Sequence, residues 1–436
     1  MKDTLKECIE GKKKSYTPIW FMRQAGRYLP EFREIRKRNP DFIKLCLNPN
    51  LVNEITLQPI KRFDLDAAII FSDILMIPYG LGQKVEFKKG LGPVLGNIDL
   101  NNIINTEAVD FVERLLPVYK GIEKVKDNLK EKNLIGFVGA PWTLLLYMLN
   151  KKSPKNSFDF NKINKDQFLI NKLLKKIEET ICLHADKQIE AGANIIQMFD
   201  SWAGLLPKKE LPNYCYIPTL KVFEHIKSKK IPVICFPKGI GENYIDFCST
   251  VKPNCISIDY EVDPKWIKGK LNGTPIQGGL DPKILLTDKE KIKKNIENYL
   301  NIFSDYPYIF NLGHGVLPET DPSMIEFIVK IIREKRKKPF FDEKTQLDLK
   351  SSYDLIKDHV RVLAETEEKL RQKINQMESE LERARIVQKM LLPEKSPCHE
   401  RFCIAYRYHP MEAVGGDYIC FPNPYDDEQG FFIGDL

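Results

Sequence analysis

Over roughly the first 335 residues of this chain, short apolar runs alternate with longer amphipathic stretches. The runs at 18–22, 67–71, 134–138, 194–198, 232–236, 255–258, 275–277 and 308–311 are the predicted strands. Several are β-branched and almost continuously apolar, as strands buried on both faces of a parallel sheet should be. Between them apolar residues recur at helical spacing, for example over 168–191 and 289–303. Eight strands alternating with helices predict an α/β chain folded as a (β/α)8 TIM barrel over 1–338, with a doubly wound sheet as the runner-up.

Near residue 335 the texture changes. A basic run at 333–338 is followed by a break at 339–342. Apolar residues then recur in alternating steps of four and three: Ile356, Val360, Leu363, Leu370, Ile374, Met377, Leu381 and Ala384, with Glu367 interrupting the seam. Glu, Lys and Arg flank it. The pattern predicts a coiled-coil helix of about four heptads within a linker at 339–390, or a single solvated helix. After Pro393 the segments turn short and strand-like, so 391–436 is read as a third piece.

Composition changes this picture little. Hydrophobic residues make up 43% and charged residues 29% of the 436, which is ordinary globular usage. No apolar run approaches the ~18 residues of a membrane span, and the Lys-rich start has no secretory signal. Ten scattered cysteines suggest neither a zinc site nor a disulfide framework, but reduced thiols in a cytoplasmic protein. The net charge of +7 is spread along the chain and points to neither nucleic acid nor membrane. GxGxxG after the first strand, GxxxxGK[ST] and HExxH are all absent, so no nucleotide or metal fingerprint appears in the barrel region.

Barrel function gathers where strands end. Polar or glycine residues follow all eight predicted strands: Arg23 to Arg27, Ser72-Asp73, Gly139-Ala140, Asp200-Ser201-Trp202, Lys238-Gly239, Asp259, Gly278-Gly279 and Gly313-His314-Gly315. Arg23 and Arg27 sit four apart around the small Ala25 and Gly26, a layout suited to bidentate binding of carboxylate or phosphate, with Arg36 as a further cation. The alternative is local surface ion pairing. Asp73 is an active-site anion or a satisfied core acid. His314 lies between two glycines after the last strand and reads as functional. Tyr147 and Ser201 are weaker candidates. Lys238 could serve Schiff-base chemistry, but reads better as a surface or ion-paired lysine.

These segments resemble the uroporphyrinogen decarboxylase family. The run 18–33, PIWFMRQAGRYLPEFR, is similar to its signature, and so are LDAAIIFSDIL at 65–75, GAPWTL at 139–144, QMFDSWAG at 197–204, QGGLDP at 277–282 and NLGHGVLP at 311–318. They occur in the family's order over about 3–335. The resemblance implies a distorted barrel that works as a homodimer without cofactor or metal. It implies conversion of the four acetate side chains of uroporphyrinogen to methyls, giving coproporphyrinogen. It implies a substrate site of Arg23, Gln24, Ala25, Gly26, Arg27, Arg36, Asp73, Tyr147, Ser201 and His314, with Asp73, Arg23, His314 and Tyr147 carrying the chemistry. Asp73 would accept the pyrrole N–H groups, and the proton donor stays open between Arg23 and His314. No nucleic acid or membrane partner is implied.

A second resemblance covers 380–436. ERARIVQKMLLP at 382–393, VGGDY at 414–418 and Gly434-Asp435 are similar to the entry helix and first two metal positions of RsbU/sporulation-type serine/threonine phosphatases. That family's remaining metal-binding aspartates would lie beyond Leu436, so an incomplete, inactive α/β fragment is expected. The competing readings are a zinc- or cobalamin-linked methyltransferase of the barrel superfamily, and a signalling protein whose C-terminal part does the work.

Overall fold

Seven of the eight predicted strands pair into one parallel sheet. In the computed structural model the described residues are 4–12, 16–88, 90–129, 131–154, 158–160, 163, 166–336 and 343–393, with short stretches at 398–399, 402–403, 417–420 and 432–435. They fall into two units, Met1–Pro339 and Phe340–Leu436.

The strands of the first unit are β1 (Ala67–Ile69), β2 (Val85–Lys88), β3 (Gly92–Leu95), β4 (Asn133–Gly139), β5 (Ile195–Asp200), β6 (Val233–Pro237), β7 (Cys255–Ile258), β8 (Ile276–Gly278) and β9 (Tyr308–Ile309). The sheet order is β1-β4-β5-β6-β7-β8-β9, every pairing parallel. Amphipathic helices intervene, among them Ala108–Leu129, Gln167–Glu190, Ile217–Ser228 and Lys289–Ile302. Strand–helix alternation thus yields a curled parallel sheet, as the apolar runs predict. The antiparallel hairpin β2–β3 was not foreseen; it interrupts the connection from β1 to β4.

The predicted strand over 18–22 is the exception, so regular pairing involves seven strands where eight were expected. It makes a single parallel bridge, Ile19 to Phe310. On that side Phe310 N donates to Pro18 O at 2.8 Å; on the other, Asp66 N donates to Ile19 O at 2.9 Å. The segment therefore spans the gap between β9 and β1. Its buried amides must still be satisfied, and side chains do this. Ile19 N donates to Asp66 Oδ2 (2.7 Å), Phe21 N to Gln24 Oε1 (3.1 Å) and Met22 N to Asn311 Oδ1 (3.0 Å).

Alternate side chains of the strands face inward. Trp20, Ala67, Ile135, Ile195, Ile234 and Ile309 form one buried cluster, joined by Leu5, Cys8 and Ile9 of the N-terminal helix Thr4–Ile9. A polar chain crosses the interior: Trp20 Nε1 donates to Gln277 Oε1 at 2.9 Å, and Gln277 Nε2 donates to Gln197 Oε1 at 3.1 Å and Ser257 Oγ at 3.2 Å. Trp20, Gln277, Gln197 and Ser257 are all fully buried, so each bond has no water to replace it.

In the second unit, Glu343–Leu391 is one helix of 49 residues, so the segment with the heptad pattern is helical as predicted. Two short antiparallel pairs follow. Cys398–His399 pairs with Phe402–Cys403, and Cys398 is disulfide-bonded to Cys403. This corrects the expectation of reduced thiols throughout: the hairpin register sets the two cysteines opposite each other, with Cα atoms 4.1 Å apart. Asp417–Cys420 pairs with Phe432–Asp435, bringing Asp417 opposite Asp435. The first three residues of the VGGDY motif, 414–416, lie outside the described residues. Among the described residues no helix is long and apolar enough to cross a membrane.

Replacing Gln277 by Leu leaves the Trp20 indole N–H and the Gln197 carbonyl without their buried partner. Each orphaned group costs about 1–3 kcal/mol. The expected result is a stability loss of roughly 2–6 kcal/mol in urea unfolding; an unchanged midpoint would show that the interior chain does not stabilise the barrel.

Candidate active site

The C-terminal ends of the strands open into a cavity of about 1280 Å³. Its floor is apolar: Met22, Ile69, Phe137, Phe199 and Phe236 line it. The three phenylalanines come from adjacent strands, with edge-on ring contacts at 5.7 Å (Phe137–Phe199) and 6.4 Å (Phe199–Phe236). A flat, hydrophobic ligand could rest on such a surface.

Around this floor stand cations. Arg23, Arg27, Arg33 and Arg36 come from the first connection, with Lys37 beside them; Lys88 comes from the β2–β3 hairpin and Lys238 from the end of β6. Asp73 is the one carboxylate lining the cavity among the described residues. That imbalance suits a ligand carrying many carboxylates. Two of the arginines are fixed by backbone carbonyls. Arg33 Nη1 donates to Arg27 O and Tyr28 O at 3.0 and 2.9 Å, and Arg36 Nη1 donates to Asn39 O and Pro40 O at 2.7 and 3.1 Å. Arg36 also lies over the Phe42 ring at 5.4 Å.

Arg23 takes a left-handed backbone conformation, φ 59°, which is uncommon for a residue with a side chain. It marks the abrupt turn off the 18–22 segment. The side chain then runs across Gly315. A Cβ at 315 would stand 2.3 Å from Arg23 Cδ and 2.6 Å from Cγ, so only glycine leaves room. The residue is exposed, and it lines the cavity. Burial lowers its pKa, Asp73 opposes that shift, and Arg27 adds to it.

Asp73 follows β1. Its Oδ1 accepts from Leu75 N at 2.9 Å. Burial pushes the carboxyl up to about 6, while the Leu75 amide and Arg23 pull it back. His314 is driven the other way, down to about 4, by burial first and then by Arg23 and Lys238. The imidazole is neutral at neutral pH. Tyr147 is 8% exposed, and its phenol sits 3.3 Å from Ser153 Oγ; burial raises its pKa, so it is also uncharged. Ser201 follows β5 in a braced turn: Thr143 Oγ1 donates to Asp200 Oδ1 at 2.6 Å and accepts from Trp202 N at 3.1 Å. Asp200 is buried below the cavity, its carboxyl pushed up to about 6 by burial.

Nine of the ten residues singled out in the sequence line this one cavity: Arg23, Ala25, Gly26, Arg27, Arg36, Asp73, Tyr147, Ser201 and His314. Gln24 does not. It is fully buried and spends both ends of its amide on backbone, accepting from Phe21 N and donating to Ala67 O at 3.1 Å. This corrects its assignment to the substrate set: Gln24 faces away from the cavity and ties the closing segment to β1. Lys238, read as a surface or ion-paired lysine, lines the cavity instead. Arg33, Lys37 and Lys88 were missed. Arg33 and Lys37 follow Arg23 on the chain and could have been suspected from that; Lys88 depends on the unforeseen hairpin.

A cation-rimmed, apolar-floored pocket at the strand ends of a barrel-like α/β fold defines an enzyme for a large polycarboxylate. Residues 1–335 match the family described as Uroporphyrinogen decarboxylase (URO-D), and the chain belongs to it. It is 45% identical over 322 residues to the uroporphyrinogen decarboxylase of Rickettsia bellii, covering 73% of this chain and 94% of that protein. With the Cereibacter sphaeroides (strain ATCC 17029) enzyme it shares 37% over 343 residues, 77% of this chain and 100% of the other. The Wolbachia pipientis wMel protein of that name is 41% identical over 320 residues, 72% and 93% respectively. Among solved structures, a methyltransferase from Methanosarcina mazei superposes with a TM-score of 0.61 at 15% identity, covering 76% of this chain and 97% of that one. That likeness concerns the fold alone.

Gly315→Ala tests the seat of Arg23. The new methyl displaces the guanidinium without touching the barrel interior. Fluorescence titration with a polycarboxylate porphyrin should show affinity reduced at least about tenfold, the equivalent of one charge-assisted contact. Unchanged affinity in a folded variant would mean that Arg23 binds nothing from this position.

Proposed function

We propose that this chain decarboxylates uroporphyrinogen to coproporphyrinogen, with the tetrapyrrole seated on the Phe137–Phe199–Phe236 floor. The observation that carries this is the single acid, Asp73, lining a cavity otherwise edged by cations among the described residues. The substrate presents four pyrrole N–H donors at its centre and eight carboxylates at its periphery. The cavity presents the complement: one acceptor at depth, and Arg23, Arg27, Arg36 and Lys238 around it.

Each acetate is lost by the same balanced exchange. A proton adds to a pyrrole ring carbon. The acetate's carbon–carbon bond breaks, carbon dioxide leaves, and the electron pair flows into the cationic ring. A second proton then reaches the exocyclic carbon and the ring gives up the first, so one carboxylate has been replaced by one hydrogen. Asp73 stabilises the cationic ring electrostatically and holds its N–H groups. Neutral Tyr147 and Ser201 orient the reacting acetate by hydrogen bonding. His314, neutral at physiological pH, offers an N–H to a carboxylate and is no longer suited to be a cationic acid. Of the two candidate donors this leaves Arg23, whose pKa burial lowers while Asp73 opposes that shift, with the proton passed on through cavity water. The reaction is proposed to need no cofactor or metal, and the enzyme to act as a cytoplasmic homodimer. For the second unit the fragment-like phosphatase reading stays a proposal, resting on the 382–393 and 414–418 motifs.

Chromatography of oxidised products should reveal coproporphyrin after incubation with uroporphyrinogen and chelator. Loss of activity on chelation would overturn the cofactor-free scheme. Asp73→Asn removes the charge that offsets the pyrrole cation, and turnover should fall ~10²–10³-fold with the fold intact. The pH profile gives the sign: the working form of Asp73 is the carboxylate, so kcat/KM should fall as pH drops through about 6. Near wild-type turnover in folded Asp73→Asn, or a flat profile through that range, would sink the role given to Asp73.

A further inference from the structure

The helix Glu343–Leu391 leaves its seam uncovered among the described residues: Leu363 is 68% exposed, Leu370 57%, Ile374 53% and Met377 62%. A continuous apolar stripe of this kind needs a partner. Placed on heptads, Val360, Ile374 and Leu381 occupy a, while Ile356, Leu363, Leu370, Met377 and Ala384 occupy d. β-Branched residues at a with leucine at d favour two parallel strands over higher orders.

The flanking charges identify the partner. In a parallel, in-register pair each g residue faces the e residue five positions further along the other helix. Lys373 then meets Glu378, and Glu380 meets Arg385, both pairs opposite in sign and each occurring twice by symmetry. In the single helix Glu380 accepts from Gln376 at 3.0 Å and Arg385 lies 3.7 Å from Glu382. Both contacts are solvent-exposed and are worth little, so exchanging them for interhelical ones costs little. Glu367 alone opposes association, since at its a position it faces its own copy.

We propose that this helix forms a parallel, in-register two-stranded coiled coil with a second copy of the chain, through the seam from Ile356 to Ala384. The interaction is independent of the decarboxylase reading and does not depend on any pairing of the barrels.

The test uses full-length chain carrying either Leu370→Cys, at the seam, or Gln372→Cys, on the opposite face. Mild oxidation followed by non-reducing electrophoresis should yield covalent dimer at least about tenfold faster from Leu370→Cys, because a d residue meets its own copy across a parallel in-register seam and an f residue such as 372 does not. Adding Lys373→Glu and Arg385→Glu to Leu370→Cys should slow bridging several-fold. So should Glu378→Lys with Glu380→Lys on the same background. Mixing those two charge variants should restore bridging between them, since every facing pair is then opposite in sign. Association of the barrels alone would raise bridging at 370 and 372 alike. Equal rates at the two positions overturn the proposal. So does an absence of bridging at 370, as an antiparallel pair or a seam covered by another partner would give, and so does failure of the mixture to recover.

Discussion

The stretch from Ile19 to Gln24 lies where a parallel barrel has to close, and it closes with one backbone bridge and side chains in place of a full ladder. A regular strand there would satisfy its amides against both neighbours. Here Asp66, Gln24 and Asn311 accept those N–H groups instead. Freed from a ladder, the chain can turn sharply at Arg23 and aim its guanidinium into the cavity. Asp66 is in turn braced from the last helix of the barrel, Pro322–Arg336, by Arg333 at 3.0 Å. Burial raises the Asp66 pKa, and Arg333 together with the Ile19 amide works against that rise. The closing joint and the position of the first cavity arginine are therefore one arrangement.

The same economy governs the cavity's electrostatics. Asp73 and Arg23 make no short ion pair, and each remains partly open to solvent within the cavity. Each shifts the other's proton affinity through space. His314, close to both Arg23 and Lys238, answers by staying neutral. A carboxylate, a neutral imidazole and several cations lining one cavity thus follow from where the strands end. Glycines at 313 and 315 make the crowding possible: a Cβ at 313 would lie 2.3 Å from the Tyr260 backbone nitrogen, and one at 315 would strike Arg23.

Much of this was legible in the sequence because burial on both faces leaves a plain signature. The apolar runs at 134–138, 194–198 and 255–258 fall on β4, β5 and β7, and the helices over 168–191 and 289–303 are placed to within a residue or so. Strand ends then located the site without any knowledge of side-chain packing. What failed was whatever depended on three dimensions. The run at 18–22 is as apolar as a strand, but two of its amides find side-chain partners far along the chain, Ile19 at Asp66, 47 residues away, and Met22 at Asn311, 289 away. Gln24 sits between two cavity residues in sequence, yet the turn at Arg23 points it inward. Lys238 looks like any surface lysine until β6 is seen to end at the cavity. The β2–β3 hairpin had a weak local signal in Val85 and Phe87 flanking Gly90 and Gly92, overshadowed by the longer runs on either side.

The cationic rim does not change while its ligand does. On the proposed reaction the substrate arrives with eight carboxylates and departs with four, each turnover subtracting one negative charge. An exposed ion pair is worth about 0.2–1 kcal/mol, so losing four weakens retention by roughly 1–4 kcal/mol, on the order of 5- to 1000-fold in affinity. Arg33 and Arg36, held by backbone carbonyls, cannot close in to compensate. Departure of the finished product would then be set by charge count, with no moving lid required to expel it.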